Sequence, residues 1–146
     1  MKRILGIDFG ERRIGLALSD LLGKMAWPFL TFDTREDGDF FQRIEQLIEK
    51  ENIGEIVLGM PRNMDGSIGK KGKEVLEFSK KLSSRIKIPI TFWDERLTTV
   101  ESLRVLRDTG AKLHKHKKKV DMLSAAFILQ GYLDNLRVKR DEKPKS

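Results

Sequence analysis

The chain has 146 residues and no cysteine, with 39% hydrophobic and 35% charged residues and a formal charge of +7. That length suits one domain, and the lack of cysteine excludes disulfides, thiolate-bound zinc and a thiol nucleophile. No apolar run approaches the roughly 20 residues that span a bilayer, so the expectation is a cytoplasmic protein with no membrane partner, whose positive surplus meets a polyanion.

The chain opens on Lys2-Arg3-Ile4-Leu5-Gly6-Ile7-Asp8, an aliphatic run that leads straight into the fold rather than into a secretion signal. A tight turn at Gly10 joins it to a second apolar run from Ile14 to Leu18, the pattern of an antiparallel hairpin covered on at least one face. Asp8 stands inside the first strand, where a carboxylate is costly unless donors or a cation meet it. Two uses fit it: capping the turn at Gly10, or holding a metal.

Residues 26–34 alternate as a third antiparallel strand, and Pro28 places that strand at an edge. Asp39 then caps a helix carried by Phe40, Phe41, Ile44, Leu47 and Ile48 to about Asn52. Residues 55–60 read as a buried strand, and after Pro61 comes a long glycine-rich loop. That loop is no P-loop, because Ser67 stands where the first Gly belongs and Glu74 where Ser or Thr must touch magnesium. It can still offer backbone N–H groups and Lys70 to a phosphate at the start of the next helix.

Residues 70–87 form that helix through Val75, Phe78, Leu82 and Ile86, with Pro89 closing it. Residues 90–95 are a strand ending on two acids, Asp94 and Glu95; an ideal strand turns them to opposite faces, so only one joins Asp8. Thr98 or Thr99 caps a helix, with Glu101 or Ser102 in its first turn and Gly110 ending it. Residues 112–119 read as a lysine-rich loop. The last helix carries a stripe of Met122, Ala126, Leu129, Leu133 and Leu136, with Asp121 in its first turn. No apolar residue follows Val138, so residues 1–138 are expected to form a single domain and 139–146 a basic, disordered tail.

This order predicts an α/β fold: a mixed five-stranded sheet, with a three-strand antiparallel meander and two parallel strands, and helices on both faces. In such sheets ligands gather outside the carboxyl ends of the strands, which can bring Asp8, Glu95 and Asp121 together. Three converging carboxylates need cations, and oxygen-only ligation suits Mg2+ or Mn2+. Taken singly, Asp121 also fits a plain helix start and Glu95 a surface pair with Arg96 or Arg13. Positive charge gathers at Lys112, Lys115, Lys117, Lys118 and Lys119 and again at Arg137, Lys139, Arg140, Lys143 and Lys145, repulsion that a phosphate backbone relieves. His114 and His116 suit extra phosphate contacts better than metal ligation, because their lysine neighbours repel a divalent ion.

Gly6-Ile7-Asp8-Phe9-Gly10-Glu11-Arg12-Arg13-Ile14-Gly15, then Gly59-Met60-Pro61-Arg62, then Asp94-Glu95-Arg96-Leu97-Thr98-Thr99, then Lys119-Val120-Asp121 with Ala125-Ala126 and Ile128-Leu129-Gln130, resemble the successive motifs of the YqgF/RuvX family. The resemblance covers nearly the whole chain. It implies an RNase H-like fold and a metal-dependent endonuclease acting on structured nucleic acid, either at the 5′ end of pre-16S rRNA or on Holliday junctions. It also implies that Asp8, Glu95 and Asp121 are the metal-binding catalytic acids. Basic residues in and beside these motifs, Arg12, Arg13, Arg62, Lys70 and Arg96 with Lys112, Lys115, Lys117, Lys118 and Lys119, are the expected contacts to nucleic acid. One departure stands out: resolvases of the wider superfamily carry a fourth carboxylate one turn after the third, where this chain has Ser124 and Ala125. A second metal is then less firmly held. Two other classes are compatible with the motifs: a noncatalytic RNA-binding module of ribosome assembly, or half of an actin-like-fold ATPase. The chain can be a monomer or a homodimer.

Overall fold

A computed structural model describes residues 2–100, 103–104 and 114–142. The strands β1 (Arg3–Asp8), β2 (Arg13–Ser19), β3 (Ala26–Asp33), β4 (Ile53–Met60) and β5 (Ile90–Asp94) form one sheet in the order β3-β2-β1-β4-β5. β1 to β3 pair antiparallel, while β4 pairs parallel with both β1 and β5. The expected meander and parallel pair are both present. β3 is an edge strand, where Pro28 removes a donor at little cost.

Successive residues of a strand face opposite sides of the sheet, so both sides can be covered. One side packs Leu5, Ile7, Leu16 and Leu58 against α1 (Phe40–Lys50) and α2 (Lys70–Arg85) through Ile44, Leu47, Phe78 and Leu82. Each fully buried aliphatic chain contributes roughly 1.5–3 kcal/mol. Asp39 caps α1 by accepting from the Phe41 N–H at 3.0 Å. The other side packs Ala17, Val57 and Trp93 against α3 (His114–Glu142) through Ala125, Ile128, Leu129 and Leu133. Among the described residues no helix is long and apolar enough to cross a membrane.

The last helix departs from expectation in several respects. Residues 114–119 are helical rather than a loop, since α3 begins at His114; lysine is a good helix former, and a run of like charge has no hydrophobic period to reveal it. Asp121 consequently lies two turns inside α3 instead of in its first turn. The helix also continues through Glu142, beyond Val138, so its last turn takes in Lys139 and Arg140. The buried stripe of α3 is rotated as well: Met122 and Leu136 are half-buried, whereas Asp121, Ser124, Ala125 and Ile128 are buried. Val100, Leu103 and Arg104 are helical, as expected after Thr99. Glu101, Ser102, the predicted end at Gly110, Lys112, Lys143 and Lys145 lie outside the described residues.

Candidate active site

The parallel strands β1, β4 and β5 end at the same edge of the sheet. Ile7 pairs with Leu58 and Gly59 with Trp93, so Asp8 ends β1 beside Gly59 and Glu95 follows the end of β5. Asp94 caps a short 3-10 turn, Glu95–Leu97, accepting from the Arg96 N–H at 3.0 Å and from the Arg96 guanidinium at 2.7 Å. The side-chain hydrogen bond from Arg96 holds the Asp94 carboxyl below its ordinary range. With Asp94 so occupied, the turn sends Glu95 inward. Gly59 makes room for it: a Cβ there would stand 2.5 Å from Glu95 Oε1 and 2.5 Å from Ile128 Cδ1. Asp8 and Glu95 are consequently buried, at 3% and 6% exposure.

What meets them is Arg104. Its Nη1 donates to Glu95 Oε2 at 2.5 Å, and its Nη2 donates to Glu95 Oε1 at 2.6 Å and to Asp8 Oδ1. Burial pushes the Glu95 carboxyl above its ordinary value, with the Asp8 charge adding to the rise and Arg104 opposing it. Burial works against the charge on Arg104 as well, but the two carboxylates outweigh it and keep the guanidinium firmly protonated. Glu95 is thus not the surface partner of Arg96 or Arg13. No sequence signal marked Arg104, which lies 96 residues from Asp8 in the chain and outside every motif.

Asp121 approaches from the helix side. It is 1% exposed, and its Oδ2 accepts from Arg13 Nε at 2.9 Å. α3 rests on β2 at Gly15, where a Cβ would meet the Asp121 carbonyl oxygen at 2.0 Å. Gly15 is the ladder partner of Asp8. Asp8 and Glu95 are therefore joined in one ion-paired group, while Asp121 sits over the neighbouring strand and is held by Arg13. Among the described residues, no three His, Cys, Asp or Glu side chains stand close enough to hold one ion. The donor chemistry of the pair still fits a divalent cation: hard carboxylate oxygens, buried together and already drawing a cation to themselves.

Glu95 opens onto a cleft of about 390 Å3 whose lining also includes Arg62, Lys70, Lys71, Arg96 and Arg104. A second cleft runs from Gly10 to Arg13 past Lys70 and Lys71. Within these, Arg62 donates to the Gly66 carbonyl at 3.0 Å and Arg12 pairs with Asp33 at 3.5 Å. The start of α3 is tied to β3, since the Lys118 carbonyl accepts from Thr31 Oγ1 at 2.6 Å. Lys117 and Lys118 are half-exposed, and Lys119 and His116 are exposed.

This arrangement, a five-stranded mixed sheet with acids at the carboxyl edge, is the fold of the resolvase-type nucleases. RuvC of T. thermophilus, solved in complex with a Holliday junction substrate, superposes with a TM-score of 0.61 at 12% identity over 95% of this chain and 97% of that one. The Fowlpox virus resolvase, solved with Holliday junction DNA, gives 0.54 at 10% identity over 92% and 98%. At those identities the likeness is one of fold. The chain itself belongs to the RuvX family, described as Holliday junction resolvase, whose model matches residues 2–135. A relative from Lachnospira eligens is 44% identical over 91% of this chain and 97% of its own length. Another, from Thermoanaerobacter pseudethanolicus, is 42% identical over 94% and 99%. Both are named provisionally as pre-16S rRNA nucleases. The chain is accordingly a nuclease that cleaves phosphodiester bonds in nucleic acid. The nuclease reading thus replaces both the ATPase-fragment and the noncatalytic-module readings.

Proposed function

We propose that the enzyme is an endonuclease that processes the 5′ end of pre-16S rRNA in the cytoplasm, using Mg2+ or Mn2+. The observation that carries the site assignment is the buried pair of Asp8 and Glu95, set at the carboxyl edge of the sheet beside a basic cleft. The names of the relatives that match from end to end support the substrate.

In this reading Asp8 and Glu95 would hold the cation, while Asp121, which stands apart from that pair and is held by Arg13, would act from α3 as a third acid. Bound there, a divalent ion would supply Lewis-acid polarisation of a phosphoryl oxygen and several kcal/mol of charge stabilisation without a histidine base. Arg62, Lys70 and Arg96 line the cleft and neutralise the backbone phosphates on either side of the scissile bond, which fixes the register of the strand. Arg12, Arg13, Lys112, Lys115, Lys117, Lys118 and Lys119 extend the contact along the duplex or stem. Burial of the acids excludes bulk water and strengthens each of these charge interactions.

The test is incubation of the purified protein with Mg2+, with Mn2+ and with EDTA, on a labelled four-way junction, duplex DNA and the 5′ leader of a ribosomal RNA precursor. Cleavage of the leader at a discrete position, absent in EDTA, is the expected result. Paired symmetric nicks in the junction with the leader intact would reassign the substrate and call for a homodimer, since that reaction needs two active sites. No cleavage of any substrate with either ion would refute the reading.

A further inference from the structure

The Arg104 guanidinium bonds to both oxygens of Glu95 and to Asp8 Oδ1. These are oxygens that a divalent ion bound by the same pair would need, and such an ion asks for ligands at about 2.0–2.1 Å in the case of Mg2+. A guanidinium and a dication on the same oxygens repel each other, so each weakens the hold of the other. Two buried carboxylates that share one guanidinium nitrogen repel each other and cannot both stay ionised without a cation. Arg104 supplies a single positive charge to the two, leaving the group one charge short of neutrality, which a dication would complete. The guanidinium is itself only 13% exposed on its side chain, so its place among the acids is a packed position rather than a surface contact.

We propose that Arg104 is a resident counter-cation that holds Asp8 and Glu95 together in the metal-free enzyme and is displaced when the divalent ion enters. Arg104 is thus a positioning residue with two opposed effects: it stabilises the metal-free fold and weakens metal binding. This rests on the assignment of Asp8 and Glu95 as metal-holding acids. Val100, four residues before Arg104, is fully buried against the α3 side of the sheet, which favours movement of the side chain over movement of the chain that carries it. An ordinary structural ion pair would behave otherwise, because its loss would loosen the acids and weaken metal binding.

The experiment is a Mn2+ titration followed by electron paramagnetic resonance on the full-length wild type, Arg104→Gln, Arg104→Lys and Asp8→Asn/Arg104→Gln, paired with thermal melts in EDTA and in Mn2+. Arg104→Gln is expected to bind Mn2+ about tenfold more tightly than wild type or better, in the range of ordinary coupling between two bound species. It should melt lower in EDTA and gain more from Mn2+. Arg104→Lys keeps a point charge without the planar fork, so its affinity should fall between the two; it also serves if the Gln variant is unfolded without metal. The double variant should lose the tight site. Unchanged or weaker Mn2+ binding in both Arg104 variants, with Asp8-dependent binding in wild type, would overturn the displacement and leave the metal-site assignment standing. Absence of Asp8-dependent binding in every protein would overturn both.

Discussion

Gly15→Ala tests the geometry that holds α3, and with it Asp121, over β2. The added Cβ would lie 2.0 Å from the Asp121 carbonyl oxygen and 2.5 Å from its carbonyl carbon, against 3.4 Å for the start of ordinary contact. Both partners are backbone, so neither can rotate away, and the helix must lift by about 1.4 Å at this point. Overpacking of this kind costs about 1–3 kcal/mol. For a chain of this size that is a fall in Tm of about 2–12 °C. The same lift carries Asp121 away from Asp8, the ladder partner of Gly15. A displacement near 1 Å at a catalytic group costs roughly a hundredfold in rate. The assay is urea unfolding beside single-turnover cleavage under saturating metal, with the rate taken per folded molecule. Wild-type stability would show that the close approach of helix and strand is not what sets α3. Lowered stability at an unchanged rate would show that Asp121 is dispensable for the chemistry.

Asp8→Asn should reduce cleavage by about a hundredfold or more, from the loss of several kcal/mol at ~1.4 kcal/mol per decade, while nucleic-acid affinity is kept or slightly raised; full activity in a cleanly purified variant would reject Asp8 as a catalytic acid. Glu95 has its folded pKa raised above the ordinary value of 4.5, first by burial and then by the charge of Asp8, so the folded metal-free state binds the extra proton. Stability from this group is therefore fully present below about 4.5 and is lost as pH rises through the folded value; urea midpoints in EDTA should show the wild type losing ground to Glu95→Gln across that window, and a constant difference would refute the shift. Replacing Lys115, Lys117, Lys118 and Lys119 by Gln should weaken binding and flatten the slope of log K against log salt by about 0.7–0.9 for each phosphate that is no longer neutralised; an unchanged slope would move the phosphate-binding role elsewhere, first to Arg137, Lys139 and Arg140.

The sheet was legible because its signals are local and mutually consistent. Alternation in β3 with Pro28, the aliphatic runs of β1 and β4, and Asp39 before the Phe40 to Ile48 period each name an element without help from the rest of the chain. The parallel pairing of β4 and β5 was legible from crossover length, whereas the place of β4 beside β1 shows only in the folded chain. The acids at the strand ends were legible for the same reason, since polar residues that interrupt apolar strands stand out. What the sequence hid is set by contacts between distant segments. Arg104 is one arginine among many basic residues, and only the folded chain puts it between Asp8 and Glu95. Gly15 and Gly59 read as ordinary members of a hairpin and a buried strand, yet each is needed because another group comes too close for a Cβ: the Asp121 backbone at one and the Glu95 carboxylate at the other. These two glycines lie on the side of the sheet that α3 covers, on strands flanking β1. Their missing side chains bring one acid in from the helix and the other across from β5, so the spacing of the candidate site is set by what the two positions lack. That is also why the buried stripe of α3 turns toward Asp121, Ser124, Ala125 and Ile128 rather than Met122: the helix lies close against the sheet at Gly15, and Ile128 reaches into the space that Gly59 leaves.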